Sequence, residues 1–174
     1  MREMLVVPYD ESWAEMYEAE KEILLKVFGG FALDIRHFGS TSVKGMSAKP
    51  VLDIMIIVTN INLADDYKAE MIRRGYTPKG ENGIEQRRYF VRYKPDGENH
   101  ASHIHVYEKG NPHISDELMF RDFLSLDEES FREYERVKLE AAEKFRFSPG
   151  EYTDAKSACV AAIMEKARKY YHIS

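Results

Sequence analysis

Near the N-terminus, apolar residues recur at three- and four-residue intervals. Trp13, Met16, Tyr17, Leu24, Val27 and Phe28 fall on one helical face, the spacing that turns one stripe of a helix toward a core. Ser12 and Glu15 have capping-box spacing and Gly29-Gly30 closes the run, so a first helix is predicted between them. A strand follows over residues 33–38. Residues 39–50 are too rich in Ser, Gly and Thr for a core element and predict a loop with one short helical turn. Beyond Pro50 comes Val51-Leu52-Asp53-Ile54-Met55-Ile56-Ile57-Val58. An apolar run of that length is what a strand covered on both faces looks like.

Residues 62–74 predict the clearest helix, with Asn62 as cap, Asp65 and Asp66 in the first turn, Arg73 and Arg74 in the last, and Gly75 as a left-handed stop. Strands are predicted over residues 86–93 and 101–107, joined by the turn-like run from Lys94 to Asn99. After Pro112 the pattern is helical, with helices over residues 115–125, 127–145 and 149–170. A helix, a sheet with a crossover helix and a helical tail from about residue 113 make an α+β, or mixed α/β, architecture. The 174 residues fit a single domain.

Composition changes this picture little, since 44% hydrophobic and 32% charged residues are ordinary for a chain that builds its own core. The net charge of −5 argues against a nucleic-acid partner, which a basic face would hold. Met1 to Leu5 carry no apolar leader and no stretch approaches a membrane span, so the expected location is the cytoplasm, with no membrane partner. The one cysteine, Cys159, lies among Ala155, Val160, Ala162 and Ile163 and reads as a small buried hydrophobe.

Candidate chemistry centres on His37-Phe38-Gly39-Ser40 and the Asp53 that follows in the buried strand. Gly39, just after a strand, lets backbone N–H groups approach a phosphate with no Cβ in the way. Ser40 and the adjoining Thr41 belong to the same loop, Ser40 adding a hydroxyl donor, and a short helical turn there offers amides. A carboxylate on the neighbouring strand suits a divalent ion that neutralises the same phosphates. On spacing alone a tight turn and a hydrogen-bonded buried Asp fit as well. His103 and His105, at i and i+2 of one strand, share a face with Tyr107, while Ser102, Ile104 and Val106 form the packed face. Such a pair serves as metal ligands, as phosphate donors, or as the hydrogen-bonded lining of a cleft. His100 precedes that strand and reads as a loop residue. Arg88 and Arg92 share one side of their strand and Arg87 takes the other. Guanidinium forks suit phosphate as well as a solvated face, and Arg88 is assigned to the ligand.

At these residues the chain resembles the GrpB-like family, a branch of the nucleotidyltransferase-fold superfamily. The resemblance runs from Val7-Pro8-Tyr9-Asp10-Glu11-Ser12-Trp13 and is densest from His37 to Ile54. It continues through His103-Ile104-His105-Val106, Phe120-Arg121-Asp122-Phe123-Leu124 and Tyr152-Thr153-Asp154-Ala155-Lys156. Glu11 and Lys44 stand where relatives often carry proline. The resemblance implies a nucleotidyltransferase-like mixed sheet with flanking helices, and relatives occur fused to dephospho-coenzyme A kinase. It also implies transfer of a nucleoside monophosphate with two metal ions, held by two carboxylates on one strand and a third on a neighbour. Asp53 matches the first carboxylate, but the second position falls on Met55, a poor Mg²⁺ ligand. The third falls on the strand of His103 and His105, whose imidazoles favour Zn²⁺ or Mn²⁺ over Mg²⁺.

The expected catalytic and metal-binding residues are therefore Asp53, His103 and His105, with Mg²⁺, Mn²⁺ or Zn²⁺ as the divalent ion. The ligand-binding residues are His37, Gly39, Ser40, Thr41, Lys49, Arg88, Arg121, Tyr152 and Lys156. Arg121 belongs here because an arginine in an apolar helix needs a carboxylate or a ligand. Tyr152 and Lys156 face together one helical turn apart, and Lys49 adjoins the phosphate loop. The expected partner is a nucleotide or another phosphorylated small molecule. Two functions fit: a transferase-like enzyme with a degenerate metal site, or a catalytically silent module that senses such a ligand or supports a partner protein.

Overall fold

In the computed structural model, which describes residues 3–173, the alternating and apolar runs become β1 (Ala32–Phe38), β2 (Leu52–Val58), β3 (Tyr76–Pro78), β4 (Arg87–Tyr93) and β5 (His100–Glu108). They form one mixed sheet in the order β1-β2-β5-β4-β3. β2 and β5 are parallel, and every other neighbouring pair is antiparallel. The helices are α1 (Ser12–Phe28), α2 (Lys68–Arg73), α3 (Pro112–Leu126), α4 (Glu128–Lys144) and α5 (Pro149–Tyr170). The expected mixed α+β class is the observed one. Among the described residues, no helix is long and apolar enough to cross a membrane.

Side chains alternate along each strand, so the sheet has two separate faces. On one, Leu52, Ile54, Ile56 and Val58 of β2 and Ile104 and Val106 of β5 are buried against Trp13, Leu24, Val27 and Phe28 of α1, with Ala64 and Met71 beside them. Burying a side chain such as Ile54 or Ile56 contributes about 1.5–3 kcal/mol, and this layer is the main core. The other face carries Phe38, Met55 and Tyr107, packed with Ile114 and Leu118 of α3. Val43 and Met46 of the loop after β1 complete that side by packing with α3, α4 and α5. The helical tail thus lies over the second face. As predicted, β2 is covered on both sides.

Local details depart from the sequence expectations. Ser12 does not cap α1; it is the first helical residue, and its N–H donates to the carboxylate of Asp10 at 2.9 Å. Residues 62–74 are not one α-helix. A 3-10 turn at Ile61–Tyr67 precedes α2, and Asn60, not Asn62, supplies the cap by accepting from the Asn62 N–H. Ile61 and Ala64 are both buried, and a 3-10 helix stacks positions i and i+3 on one side. The short edge strand β3 was not foreseen, and His100 opens β5 instead of lying in a loop. The tail helices start where caps allow: Asn111 accepts from the His113 N–H ahead of Pro112, and Asp127 accepts from the Ser130 N–H.

One buried charge ties α1 to β5, β4 and the edge strand β3. Glu20 accepts from the Tyr76 hydroxyl at 2.8 Å, the Ser102 hydroxyl at 2.7 Å and Arg92 Nη1 at 2.5 Å. Removing one partner of such a group leaves the others desolvated and unpaired. Glu20→Ala is expected to lower folding stability by about 2–3 kcal/mol, measured by urea denaturation. Arg36→Ala, which removes the exposed pair with Asp34, is expected to cost less than about 0.5 kcal/mol. Equal losses would remove the buried network from its structural role.

Candidate functional site

The second sheet face does not meet the helical layer flush. A cavity of about 440 Å³ remains between them, with Asp53 and the two histidines on the sheet wall and α3, α4 and α5 opposite. Parallel pairing sets Asp53 beside His103 and Met55 beside His105, so a carboxylate and two imidazoles emerge on one face. His103 Nδ1 lies 3.0 Å from Asp53 Oδ1, and His105 Nε2 lies 3.7 Å from the same oxygen. Burial pushes the Asp53 carboxyl up, yet the hydrogen bonding and charge of His103 and His105 outweigh it and hold the group below the ordinary carboxylate range. Burial pushes His105 down, against the pull of Asp53.

Each imidazole has a further partner. A carboxylate only accepts, so His103 Nδ1 donates to Asp53, while its Nε2 sits 2.7 Å from His100 Nδ1. His105 Nδ1 lies 3.3 Å from Nη1 of Arg87, a buried arginine that also donates to the carbonyls of Glu81 and Asn82. His105 Nε2 is buried without a hydrogen-bond partner.

Gly39 is where the loop meets this cluster. Its backbone (φ +70°, ψ −176°) is in a region open essentially to glycine alone. A Cβ there would stand 2.7 Å from Asp53 Oδ2. The glycine gives the Asp53 carboxylate its room, a steric role the sequence alone does not indicate.

The opposite wall is cationic. Lys49 Nζ lies 4.7 Å and Lys156 Nζ 4.2 Å from the centre of the buried Tyr152 ring. Lys138, only 2% exposed, donates to the Ser47 carbonyl at 2.6 Å. Burial and the charge of Lys156 push Lys138 down to about 7, with Glu135 opposing. Burial and Lys49 push Lys156 down to about 8, with Asp53 opposing. Tyr134, whose hydroxyl burial pushes up to about 12, lines the same wall. Glu117 of α3 faces the cavity too; burial, with Asp53 and Asp116 nearby, pushes its carboxyl up to about 7.

Of the sequence-predicted residues, Asp53, His103, His105, Gly39, Ser40, Lys49, Arg121, Tyr152 and Lys156 line this cavity. His37, Thr41 and Arg88 do not. His37 hydrogen-bonds Thr41 at 2.9 Å and stacks on Tyr17 at 4.8 Å, along a separate open groove. Burial pushes its imidazole down to about 4. Arg88 points from the other sheet face, where Asp65 accepts both arms of its guanidinium at 2.8 and 2.9 Å. The arginine on the cavity side is Arg87, by simple strand alternation. Arg121 donates to the His37 carbonyl at 2.8 Å and pairs with the adjacent Asp122. Lys138 and Glu117 were not foreseen. A lysine four residues after Tyr134 and three before Ala141, on the buried side of α4, was the available signal.

The family model described as "GrpB protein" matches residues 3–166. The chain belongs to the GrpB family. It resembles the crystal structure of conserved protein GrpB from Enterococcus faecalis, with a TM-score of 0.89 and 32% identity over 96% of this chain and 99% of that one. It is 38% identical to the UPF0157 protein YqkA of Bacillus subtilis over 97% of this chain, but spans only 48% of YqkA. A fainter likeness, at 12% identity and a TM-score of 0.46, covers 76% of this chain and 44% of the Cid1 poly(U) polymerase.

Three ligand atoms of Asp53, His103 and His105 lie within 4.8 Å of one another, a spacing compatible with one ion. Two of the three donors suit a metal readily. The far nitrogen of His103 faces another imidazole, which can accept as well as donate. The far nitrogen of His105 faces a guanidinium, which only donates.

Gly39→Ala is expected to cost about 2–3 kcal/mol, through its backbone and the displacement of Asp53. Gly75→Ala, also at positive φ but with open space around the new Cβ, is expected to cost about 1 kcal/mol. Denaturant titration compares the two. Equal losses would mean that Asp53 does not press on Gly39.

Proposed function

We propose that this GrpB-family chain binds a nucleotide or another phosphorylated small molecule in the cavity between the second sheet face and α3–α5. The observation that carries this reading is the lysine wall. Lys138 is buried and Lys156 half-buried, each lowered by loss of solvation and then by a neighbouring lysine, and the ring of Tyr152 lies against both Lys49 and Lys156. Like charges held together in a cavity are relieved by an anion, and phosphate oxygens are the acceptors that ammonium groups suit. The cavity volume of about 440 Å³ is that of a small-molecule site. A divalent ion, when bound, would neutralise phosphoryl oxygens, and Asp53 with His103 are the residues set to hold it.

Two readings of the chemistry differ in one residue. Met55 is fully buried among Phe38 and Tyr107, so the second strand carboxylate of a two-metal transferase is replaced by core. That favours binding without transfer. Glu117 favours transfer, because it brings another carboxyl to the cavity from a helix and can hold or release a proton near neutrality.

The sign of the pH effect follows from the lysines. Their folded values, about 7 and about 8, lie below the ordinary 10.5, so the unfolded chain binds more protons in that interval. Stability of the free protein therefore falls as pH drops from about 10.5 toward about 7. An anion restores the charged lysines, so pyrophosphate binding at pH 8 is expected to take up protons. Calorimetry in two buffers of different ionisation enthalpy reads this directly. Lys138→Met and Lys156→Met are each expected to weaken binding by about tenfold or more. Absence of any heat or thermal shift with pyrophosphate and nucleotides would overturn the reading.

A further inference from the structure

Among the described residues Arg87 is the hydrogen-bond partner of His105 Nδ1, and it restricts what that ring can do. Its guanidinium has five N–H donors and no acceptor. It is held in place from two other directions, with Nε donating to the Glu81 carbonyl at 3.1 Å and Nη2 to the Asn82 carbonyl at 2.7 Å. Its third arm, Nη1, stands 3.3 Å from His105 Nδ1. Nδ1 must therefore be the acceptor, and in a neutral imidazole the proton then sits on Nε2. Nε2 is the buried nitrogen without a partner, 3.7 Å from Asp53 Oδ1.

We propose that Arg87 is a positioning residue that holds His105 as its Nε2–H tautomer, making His105 a hydrogen-bond donor to a ligand oxygen beside Asp53 and withholding it from metal. This rests on the cavity being the ligand site proposed above. A metal takes a lone pair, and Nε2 can offer one only if Nδ1 carries the proton, which would set N–H against N–H at Arg87. His103 is under no such restriction, because its Nε2 faces His100 Nδ1, an atom able to accept or donate. The cluster whose spacing suits three ligands is thus divided by its outer contacts. Asp53 and His103 remain open to an ion, and His105 presents a proton. A donor and a carboxylate side by side suit an oxygen that both accepts and donates, such as a hydroxyl or a water.

Long-range ¹H–¹⁵N correlation on protein labelled at histidine reads the tautomer directly at pH 7.5. The expected result is a His105 whose unprotonated nitrogen is Nδ1. Titration of Zn²⁺ into the wild-type protein is expected to move the His103 ring signals and leave His105 Nε2 protonated. Arg87→Gln supplies an amide oxygen that accepts from Nδ1–H, and it is expected to raise Zn²⁺ affinity by about 10–100-fold with His105 now ligating. Arg87→Lys, which keeps a donor only, is expected to give no gain. A proton on His105 Nδ1 in the wild type, or Zn²⁺ binding there through His105, overturns the proposal. The wild-type spectrum decides this even if Arg87→Gln does not fold. None of these measurements uses a phosphorylated compound, so failure of pyrophosphate to bind is a separate result.

Discussion

The parallel pairing of β2 with β5 is the constraint on which the site depends. It puts Asp53 beside His103 and Met55 beside His105, and because side chains alternate, it sends Ile54, Ile56, Ile104 and Val106 to the opposite face. A slip of one residue would turn over the strand that moved, carrying either the Asp53 carboxylate or the two imidazoles into the apolar layer under α1 and that strand's own apolar side chains toward the cavity. The hydrophobic energy of the main core therefore holds the polar cluster in register. β1 adds the second restraint, since Phe38 pairs with Asp53 and the next residue, Gly39, leaves room for its carboxylate.

Each face of the sheet carries a carboxylate, Glu20 buried and Asp53 half-buried, and their surroundings set them apart. Glu20 is closed off by Tyr76, Ser102 and Arg92, so its oxygens are satisfied within the protein and it acts as a tie between α1 and the strands. Asp53 has the His103 hydrogen bond and the more distant His105, and it borders open volume. Its remaining capacity to accept faces the cavity. Charge satisfied inside the protein supports structure, and charge satisfied only in part is left able to accept from the cavity.

The cavity separates opposite charges along its length. Asp53 and Glu117 lie toward the sheet and α3, while Lys49, Lys138 and Lys156 gather about Tyr152 and Tyr134. Lysines kept close in a poorly solvated wall repel one another, and this lowers their affinity for protons. The protein holds this strained arrangement because α4 and α5 are packed elsewhere by Val43, Met46, Phe123, Leu124 and Ile163. Packing remote from the site thus keeps the cations where an anion would relieve them.

The sequence was enough for the α+β class, the extent of β2, β4 and β5, the tail helices and the common face of His103 and His105, because these follow from periods of two and 3.6 residues and from caps next to them in the chain. It also located Asp53, Lys49, Tyr152 and Lys156, which the structure brings to one cavity. It grouped Arg88 with the ligand residues, whereas the structure pairs Arg88 with Asp65 on the face away from the cavity, because alternation tells that Arg87 and Arg88 point opposite ways but not which way each points. It missed Lys138 and Glu117, whose partners are distant in the chain: Ser47 lies 91 residues from Lys138. Only the tertiary structure could decide that Gly39 yields to Asp53, that Arg87 faces His105 and that the lysines crowd together. Contacts of that kind depend on how strands pair and helices dock across the whole fold, and no local spacing records them.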